Sequence, residues 1–434
     1  MAISVGRSVR RSAAAGVLAA VAGCSALGSS PSPAAKAGTG STGAAFIGST
    51  GAVSFTIAAT GDLLINMPVA RQALADGRES GQAYDFRRML SKIKPILGAA
   101  DLAVCHVETP MSADDTSISG YPVFNTPHEL ADAISFAGYE GCSTASNHSI
   151  DRGLAGVDAT LAALDRVHVA HAGTAGSAAE GVRAELHRVK GVLVAHLSYT
   201  YGTNGIPTPP GAPWSVNITS VRRILADAHA AKQSGAQFVV VSLHWGEEYQ
   251  TQPTALQQAQ ARAVLASPDV DLILGCHAHV LQPVEKIGGK YVIYGLGNLL
   301  SNQSPAVGLP AKTQDGAVLK AYVSRHGDRL LVDRVTYTPT YVEIGRYTVW
   351  PVAQALDDPA TPSGLRSALR ASWQRTQANE GALAGQPRGA LPEIVPRAAW
   401  APVLRTFDRR GSGQSAVGWA PAAEQTLATG GQLR

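Results

Sequence analysis

Charge is what this sequence has least of. Only 16% of its 434 residues are Asp, Glu, Lys or Arg, against about a quarter in an ordinary globular chain. The two signs nearly cancel, with 36 basic against 32 acidic side chains and a net charge of +4. There is no basic stripe, so the electrostatic footprint of a nucleic-acid-binding protein is missing and no nucleic-acid partner is expected. Long apolar runs are also scarce. Past the first two dozen residues nothing approaches the roughly 18 uninterrupted apolar residues of a membrane span. Cysteine occurs four times and never in a C-x-x-C spacing, which removes the zinc-ribbon type of site. No internal repeat is present.

What remains is ample for a folded core. Hydrophobic residues make up 45% of the chain, enough for one large domain or two modest ones. The 45 Gly and 25 Pro predict many loops without giving the composition of a disordered protein.

Residues 1–23 carry a basic start and a short apolar run, Ala13 to Ala22. This is the layout of a secretory signal. The run ends Val21-Ala22-Gly23-Cys24, which resembles a bacterial lipobox, with acylation of Cys24 as its implication. An ordinary signal peptide with a nearby Cys is the simpler alternative. Loss of Arg7, Arg10 and Arg11 with the signal would take the net charge from +4 to +1. Residues 24–51 are rich in Ser, Gly, Ala and Pro and read as a flexible tether. The expected location is the outer face of the cytoplasmic membrane, in the cell envelope, with a lipid anchor. Cys105, Cys142 and Cys276 each close or follow an apolar run. That predicts buried free thiols, with one disulfide among them left open.

From Phe55 onward short apolar runs alternate with helical patterns, which implies a layered α/β fold. Strands are expected over Ser54–Thr60, Asp101–Val104, Gly141–Thr144, Gly191–Leu197, Gln237–Leu243, Val270–Leu274, Ala317–Val323 and Arg329–Thr336. Helices are expected over Leu130–Phe136, Leu154–Leu164, Ile218–Ser234, Leu256–Leu265 and Ser363–Ala378, and Asn298–Asp315 reads as a loop. Asp62, Glu108, Asn147, His148, His244, His277 and His279 all fall just past the end of an expected strand. In α/β sheets that is the edge where ligand sites form.

The donor types fit a pair of transition-metal ions. A carboxylate to bridge them, with imidazole and amide donors around it, suits Zn, Mn or Fe, whereas a dedicated Ca site uses oxygen alone. His277-Ala278-His279 puts two imidazoles on one short turn, and Gly275 before them permits close approach of the chain. His168, His171, His187, His196 and His229 have no such setting and read as structural.

Six blocks carry a resemblance: Thr60-Gly61-Asp62, His106-Val107-Glu108-Thr109-Pro110, Ser146-Asn147-His148, His244-Trp245-Gly246-Glu247-Glu248-Tyr249, Gly275-Cys276-His277-Ala278-His279-Val280 and Tyr294-Gly295-Leu296-Gly297-Asn298. In this order they resemble the CapA family, named for poly-γ-glutamate capsule biosynthesis, within the metallophosphoesterase superfamily. The resemblance implies an αββα sandwich with mixed sheets over residues 52–345, with 346–434 as a C-terminal extension. It also implies that Asp62 and His279 hold one ion, that Asn147, His244 and His277 hold the other, and that Glu108 bridges them. His148 matches the catalytic histidine. His106, Glu248 and Asn298 would lie in a second layer or along the substrate. Two positions depart from the pattern. The superfamily's Asp-x-His reads Asp62-Leu63-Leu64, and the branch's Asn-Leu-Glu reads His106-Val107-Glu108.

Two functions follow from the resemblance. One is a phosphoester hydrolase with one or two divalent ions. The other is a non-catalytic subunit that binds an anionic envelope polymer and works with membrane-bound synthase or export partners.

Overall fold

The computed structural model describes residues 54–380 and 391–392. The expected signal, Cys24 and the tether lie outside the described residues. Among those described, fifteen strands run as follows. The first eight are β1 (Ser54–Leu63), β2 (Leu102–Val107), β3 (Gly141–Ser143), β4 (Ala170–Ala172), β5 (Glu185–Val189), β6 (Val192–Thr200), β7 (Phe238–His244) and β8 (Leu272–Cys276). Then come β9 (Leu281–Ile287), β10 (Lys290–Leu296), β11 (Asn298–Leu300), β12 (Asp315–His326), β13 (Arg329–Val342), β14 (Val349–Pro351) and β15 (Leu391–Pro392).

They form two mixed sheets. The first has the order β14-β13-β12-β1-β2-β3-β4, with β11 beside β1 and β15 beside β13. The second has the order β5-β6-β7-β8-β10-β9. β1 to β4 are mutually parallel, as are β6 to β8. In each sheet the carboxyl ends of those strands therefore share one edge.

Alternation along the strands shows how the layers stack, because successive side chains leave opposite faces. In β1, Ile57 and Ala59 join an apolar cluster with Leu102 and Val104 of β2, Val192 and Val194 of β6, Val240 of β7 and Leu272 and Leu274 of β8. That cluster is the filling between the two sheets. The intervening residues Ala58, Ala103 and Cys105 face outward into a second cluster, with Val69 and Ala73 of helix Met67–Ser80 and Leu130 and Ile134 of helix Leu130–Ala137. On the far side Val239, Val241, Ile273 and Val292 meet Ile224 and Ala228 of helix Val221–Gln233 and Val264 of helix Ala255–Leu265. The result is the four-layer αββα arrangement of a mixed α/β protein.

Local chemistry sets several boundaries. Helix Ala255–Leu265 opens on a capping box, in which Thr254 accepts from the Gln257 backbone and the Gln257 side chain accepts from the Thr254 backbone. Helix Met67–Ser80 carries Pro in its first turn and ends at Gly81, φ 73°. The helix expected from Ile218 starts at Val221 instead, because Ile218 and Thr219 are drawn into pairing with Thr200 at the end of β6.

Three further expectations change. Asn298–Asp315 is not all loop. Asn298–Leu300 adds β11 alongside β1 past its bulge, pairing Asp62 with Asn298 and Leu63 with Leu300, and two 3-10 turns follow. Cys105 and Cys142 are not free thiols. They sit opposite each other in the β2–β3 register and form a disulfide, leaving Cys276 buried and free. Residues 346–380, set apart above as an extension, add β14 and helix Ser363–Glu380 to the same body. Leu369 of that helix packs with Tyr341 and Trp350, and Arg375 forks onto the Asp315 carboxylate at 2.6 and 2.8 Å.

Candidate metal centre

The shared edge of the two sheets gathers every residue of the expected set. From the first sheet come Asp62 near the end of β1, Glu108 just past β2, and Asn147 and His148 in the turn after β3. From the second come His244, the last residue of β7, and His277 and His279 just past β8. Asp62 and His244 thus lie within their strands rather than beyond them. All seven are buried.

Close backbone approach makes this convergence possible. A Cβ on Gly61 would stand 1.8 Å from the Gly297 carbonyl oxygen, and one on Gly275 would stand 2.0 Å from that of Tyr294. Only glycine lets β1 and β8 press this tightly against their neighbours. The turn after β8 is unusual in another way. His277 and His279 have φ of 94° and 54°, a left-handed conformation that costs energy for residues with a side chain and concentrates at functional sites. It aims both imidazoles inward.

Two donor groups emerge. In one, the Asp62 carboxylate lies 3.0 Å from His279 Nδ1, and His279 Nε2 lies 3.6 Å from Glu108 Oε1. Asn298 steers this imidazole. Its amide donates to the Thr313 carbonyl and the Gln303 side chain, so its Oδ1 is left to accept from His279 Nδ1–H at 3.1 Å. That leaves Nε2 free to face Glu108. In the other group Asn147 Oδ1 lies 2.9 Å from His244 Nε2, which is 4.0 Å from Glu108 Oε1. The His277 ring stands 4.7 Å from that of His244. Glu108 belongs to both groups: its oxygen falls within 4.8 Å of donors on His244 and His277 and of donors on Asp62 and His279.

The residues fit a metal site. Both Glu108 oxygens, His244 Nδ1, His277 Nδ1 and His106 Nε2 are buried and make no hydrogen bond among the described residues. Buried polar atoms left without a partner are expensive, and so many around one carboxylate match a site built for metal. The electrostatics of Glu108, His277 and His106 points the same way, whereas, against burial, Glu108 and Asp62 raise His279 to about 9. Burial raises Glu108 well above the ordinary carboxylate range, against the pull of His279. Burial also favours a neutral Asp62, but the hydrogen bond and charge of His279 outweigh it and hold that carboxylate low. Burial drives His277 down to about 3 and His106 down to about 4, so both are neutral imidazoles of the kind that ligate metal.

His148 stands apart from these donors. Its Nδ1 is 2.8 Å from Asp151 Oδ2, its Nε2 is 3.4 Å from the Asn204 amide, and Phe124 packs edge-on at 4.6 Å. Its neighbour Asn147 donates to Asn204 Oδ1 at 3.2 Å, which turns Asn147 Oδ1 toward His244. Asp151 and Asn204 escaped the sequence reading. Asp151 had a detectable signal, a carboxylate three residues after a candidate catalytic His, whereas Asn204 arrives from a distant loop and had none. Tyr201, also unforeseen, lays its half-exposed ring 4.7 Å from that of His277. Glu248 is exposed yet reaches the His277–His279 pair. Trp245 is core, its indole N–H donating to the Tyr294 carbonyl.

A family described as bacterial capsule synthesis protein PGA_cap matches residues 56–303. The chain belongs to this family. It is 27% identical over 285 residues to the capsule biosynthesis protein CapA of Bacillus anthracis, covering 64% of this chain and 65% of that protein's length. It is 25% identical over 296 residues to the PGA biosynthesis protein CapA of Bacillus subtilis, covering 67% of this chain and 72% of that one. Among solved structures, the calcineurin-like phosphoesterase YfkN of Bacillus subtilis aligns with 75% of this chain and 98% of its own, at 14% identity and a TM-score of 0.40. The PGA_cap match begins just before Asp62 and ends just after Asn298, so every residue of the two donor groups lies inside it.

Proposed function

We propose that this chain hydrolyses a phosphoester with two divalent ions, as an exported, lipid-anchored protein acting in the making or export of a poly-γ-glutamate-type envelope polymer. One observation carries the catalytic part: an unpartnered, buried carboxylate, Glu108, shared by two imidazole-bearing groups, with an oriented histidine beside them. The names of the capsule-synthesis relatives support the biological setting. The Cys105–Cys142 disulfide supports export, since such bonds persist in oxidising surroundings.

On this reading Asp62, His279 and Glu108 hold one ion and Asn147, His244, His277 and Glu108 hold the other. When bound, such a pair lowers the pKa of a shared water and neutralises charge on phosphoryl oxygens. The protein's own residues do the rest. Asp151 takes the Nδ1–H of His148, which fixes the ring and turns Nε2 toward the substrate side. Nε2, a lone pair that accepts from the Asn204 amide in this structure, must first take up a proton before it can pass one to the leaving oxygen. Asn204 holds both Asn147 and His148, so the metal-facing amide and the proton donor keep a fixed separation. Tyr201 walls the opening.

A phosphodiester turnover assay tests this directly. Asp62→Asn and His279→Ala should each lose several kcal/mol of catalysis, about a thousandfold in rate, with the circular dichroism spectrum unchanged. Unchanged turnover in either variant contradicts the reading.

Leu64, standing where the superfamily has an imidazole, favours a second reading, in which the domain binds an anionic polymer and catalyses nothing. Metal analysis separates the two. Near two equivalents of transition metal favours hydrolysis, and below about one favours binding.

A further inference from the structure

His106 is buried at the heart of the site, 2% exposed, and its two ring nitrogens have very different surroundings. Nδ1 lies 2.8 Å from Ser143 Oγ. The Ser143 hydroxyl donates its own proton to the Cys105 carbonyl, 3.2 Å away. A hydroxyl has one proton, so with that proton on the Cys105 carbonyl Ser143 accepts from His106, and the imidazole carries its hydrogen on Nδ1. Nε2 is then a bare lone pair. Among the described residues it has no hydrogen-bond partner, and it faces Asp62 Oδ1 at 3.9 Å.

A lone pair aimed at a carboxylate oxygen with no proton between them is repulsive, and a 3.9 Å gap is too long for a hydrogen bond. It is within the reach of two donors that share one cation, each about 2.0–2.2 Å from it. Asp62 divides its oxygens to match. Oδ2 takes the His279 Nδ1 hydrogen bond at 3.0 Å, both oxygens share the His277 backbone N–H at 3.4 and 3.3 Å, and Oδ1 faces His106. The sulfur of Cys276 is the third corner, since donor atoms of Asp62, His106 and Cys276 all lie within 4.8 Å of one another. No hydrogen bond links Cys276 to the His106 lone pair among the described residues.

We propose that His106 Nε2 is a direct ligand of the Asp62-side ion and supplies the imidazole that Leu64 removes. The two departures from the superfamily pattern are then one exchange: an imidazole lost from the end of β1 is returned from the neighbouring strand β2. The β1–β2 register, which pairs Asp62 with His106, is what makes the exchange geometrically available. Ser143 is a positioning residue that sets the tautomer, as outer partners of ligating histidines usually do.

This inference rests on the two-ion reading, and the test keeps the two apart. The full-length protein in detergent is loaded with Co(II). Bound equivalents and dissociation constants are read by chelator competition, and the paramagnetically shifted imidazole N–H signals are counted by NMR. The wild type should hold two equivalents. His106→Asn should retain the ion at His244 and His277 but bind the other more than about 100-fold more weakly, with one shifted N–H signal lost. Ser143→Ala, which keeps the ligand and frees its tautomer, should weaken the same ion by about 10- to 100-fold, and it serves should His106→Asn fail to fold. Two ions held by His106→Asn at wild-type affinity, or no change in Ser143→Ala, overturns the assignment while the two-ion reading stands. A wild type that holds no Co(II) overturns both.

Discussion

A single oxygen of Asp151, Oδ2, accepts from His148 Nδ1 at 2.8 Å and from the Phe124 backbone N–H at 2.7 Å. Phe124 in turn packs on the His148 ring. One carboxylate therefore locks both the orientation of the imidazole and the loop that covers it.

Replacing Asp151 by Leu should remove the one acceptor that the His148 and Phe124 N–H groups share. The imidazole then loses its fixed tautomer. A fall of about 10²- to 10⁴-fold in turnover is expected, the range for loss of positioned proton transfer, with KM little changed. Steady-state kinetics on a phosphodiester reads it. A fall in affinity with turnover intact would show that Asp151 matters only for holding the Phe124 loop.

Gly275→Ala tests the close approach behind the histidine turn. Its Cβ would collide with the Tyr294 carbonyl at 2.0 Å and the Trp245 indole nitrogen at 2.6 Å. Both are fixed by the hydrogen bond between them, so neither can yield cheaply. The expected cost is about 3 kcal/mol of stability, read by urea unfolding, together with weaker metal binding. A variant as stable as wild type contradicts the packing described.

The Cys105–Cys142 disulfide closes a loop of sequence separation 37. Its removal in a Cys105→Ala/Cys142→Ala variant should cost about 2–4 kcal/mol. Mass spectrometry of the unreduced protein should show two fewer hydrogens than the free thiols require. Three alkylatable cysteines downstream of Cys24, rather than one, would contradict the pairing.

Acid should weaken the fold through His187 and His196. Burial lowers them to about 4 and about 3, from 6.5 in the unfolded chain. As pH falls below 6.5 the unfolded state takes up protons that the folded state refuses, so stability drops until the folded pKa values are reached. Between pH 7 and 5 each group should contribute a loss of about 2 kcal/mol. In His196→Gln, which can keep a hydrogen bond to Ser242, the loss over that interval should shrink by about this amount. An identical pH dependence in the variant contradicts the assignment.

Much of this was legible in the sequence because strand ends carry their chemistry with them. The apolar runs before Asp62, Glu108, His244 and His277 are strands, and parallel pairing brings their ends to one edge. What escaped had physical reasons. Asn204 reaches His148 from a loop 56 residues away, a contact no local pattern encodes. Which cysteines pair stays open in the sequence because the Cys105–Cys142 bond depends on the β2–β3 register. β11 was hidden because Asn298-Leu299-Leu300 is too short to show a period and forms only because β1 offers a free edge past its bulge. His106 reads in the sequence as a second-layer residue, and only the β1–β2 register sets it against Asp62.

We expect two ions around Glu108, and anomalous scattering from crystals of the metal-loaded protein reads them. Two peaks about 3.5–4 Å apart are predicted, with Glu108 bonded to both. One should be ligated by Asn147, His244 and His277, and the other by Asp62, His279 and His106. A single peak without Glu108 as a ligand, or none under saturating metal, would contradict it.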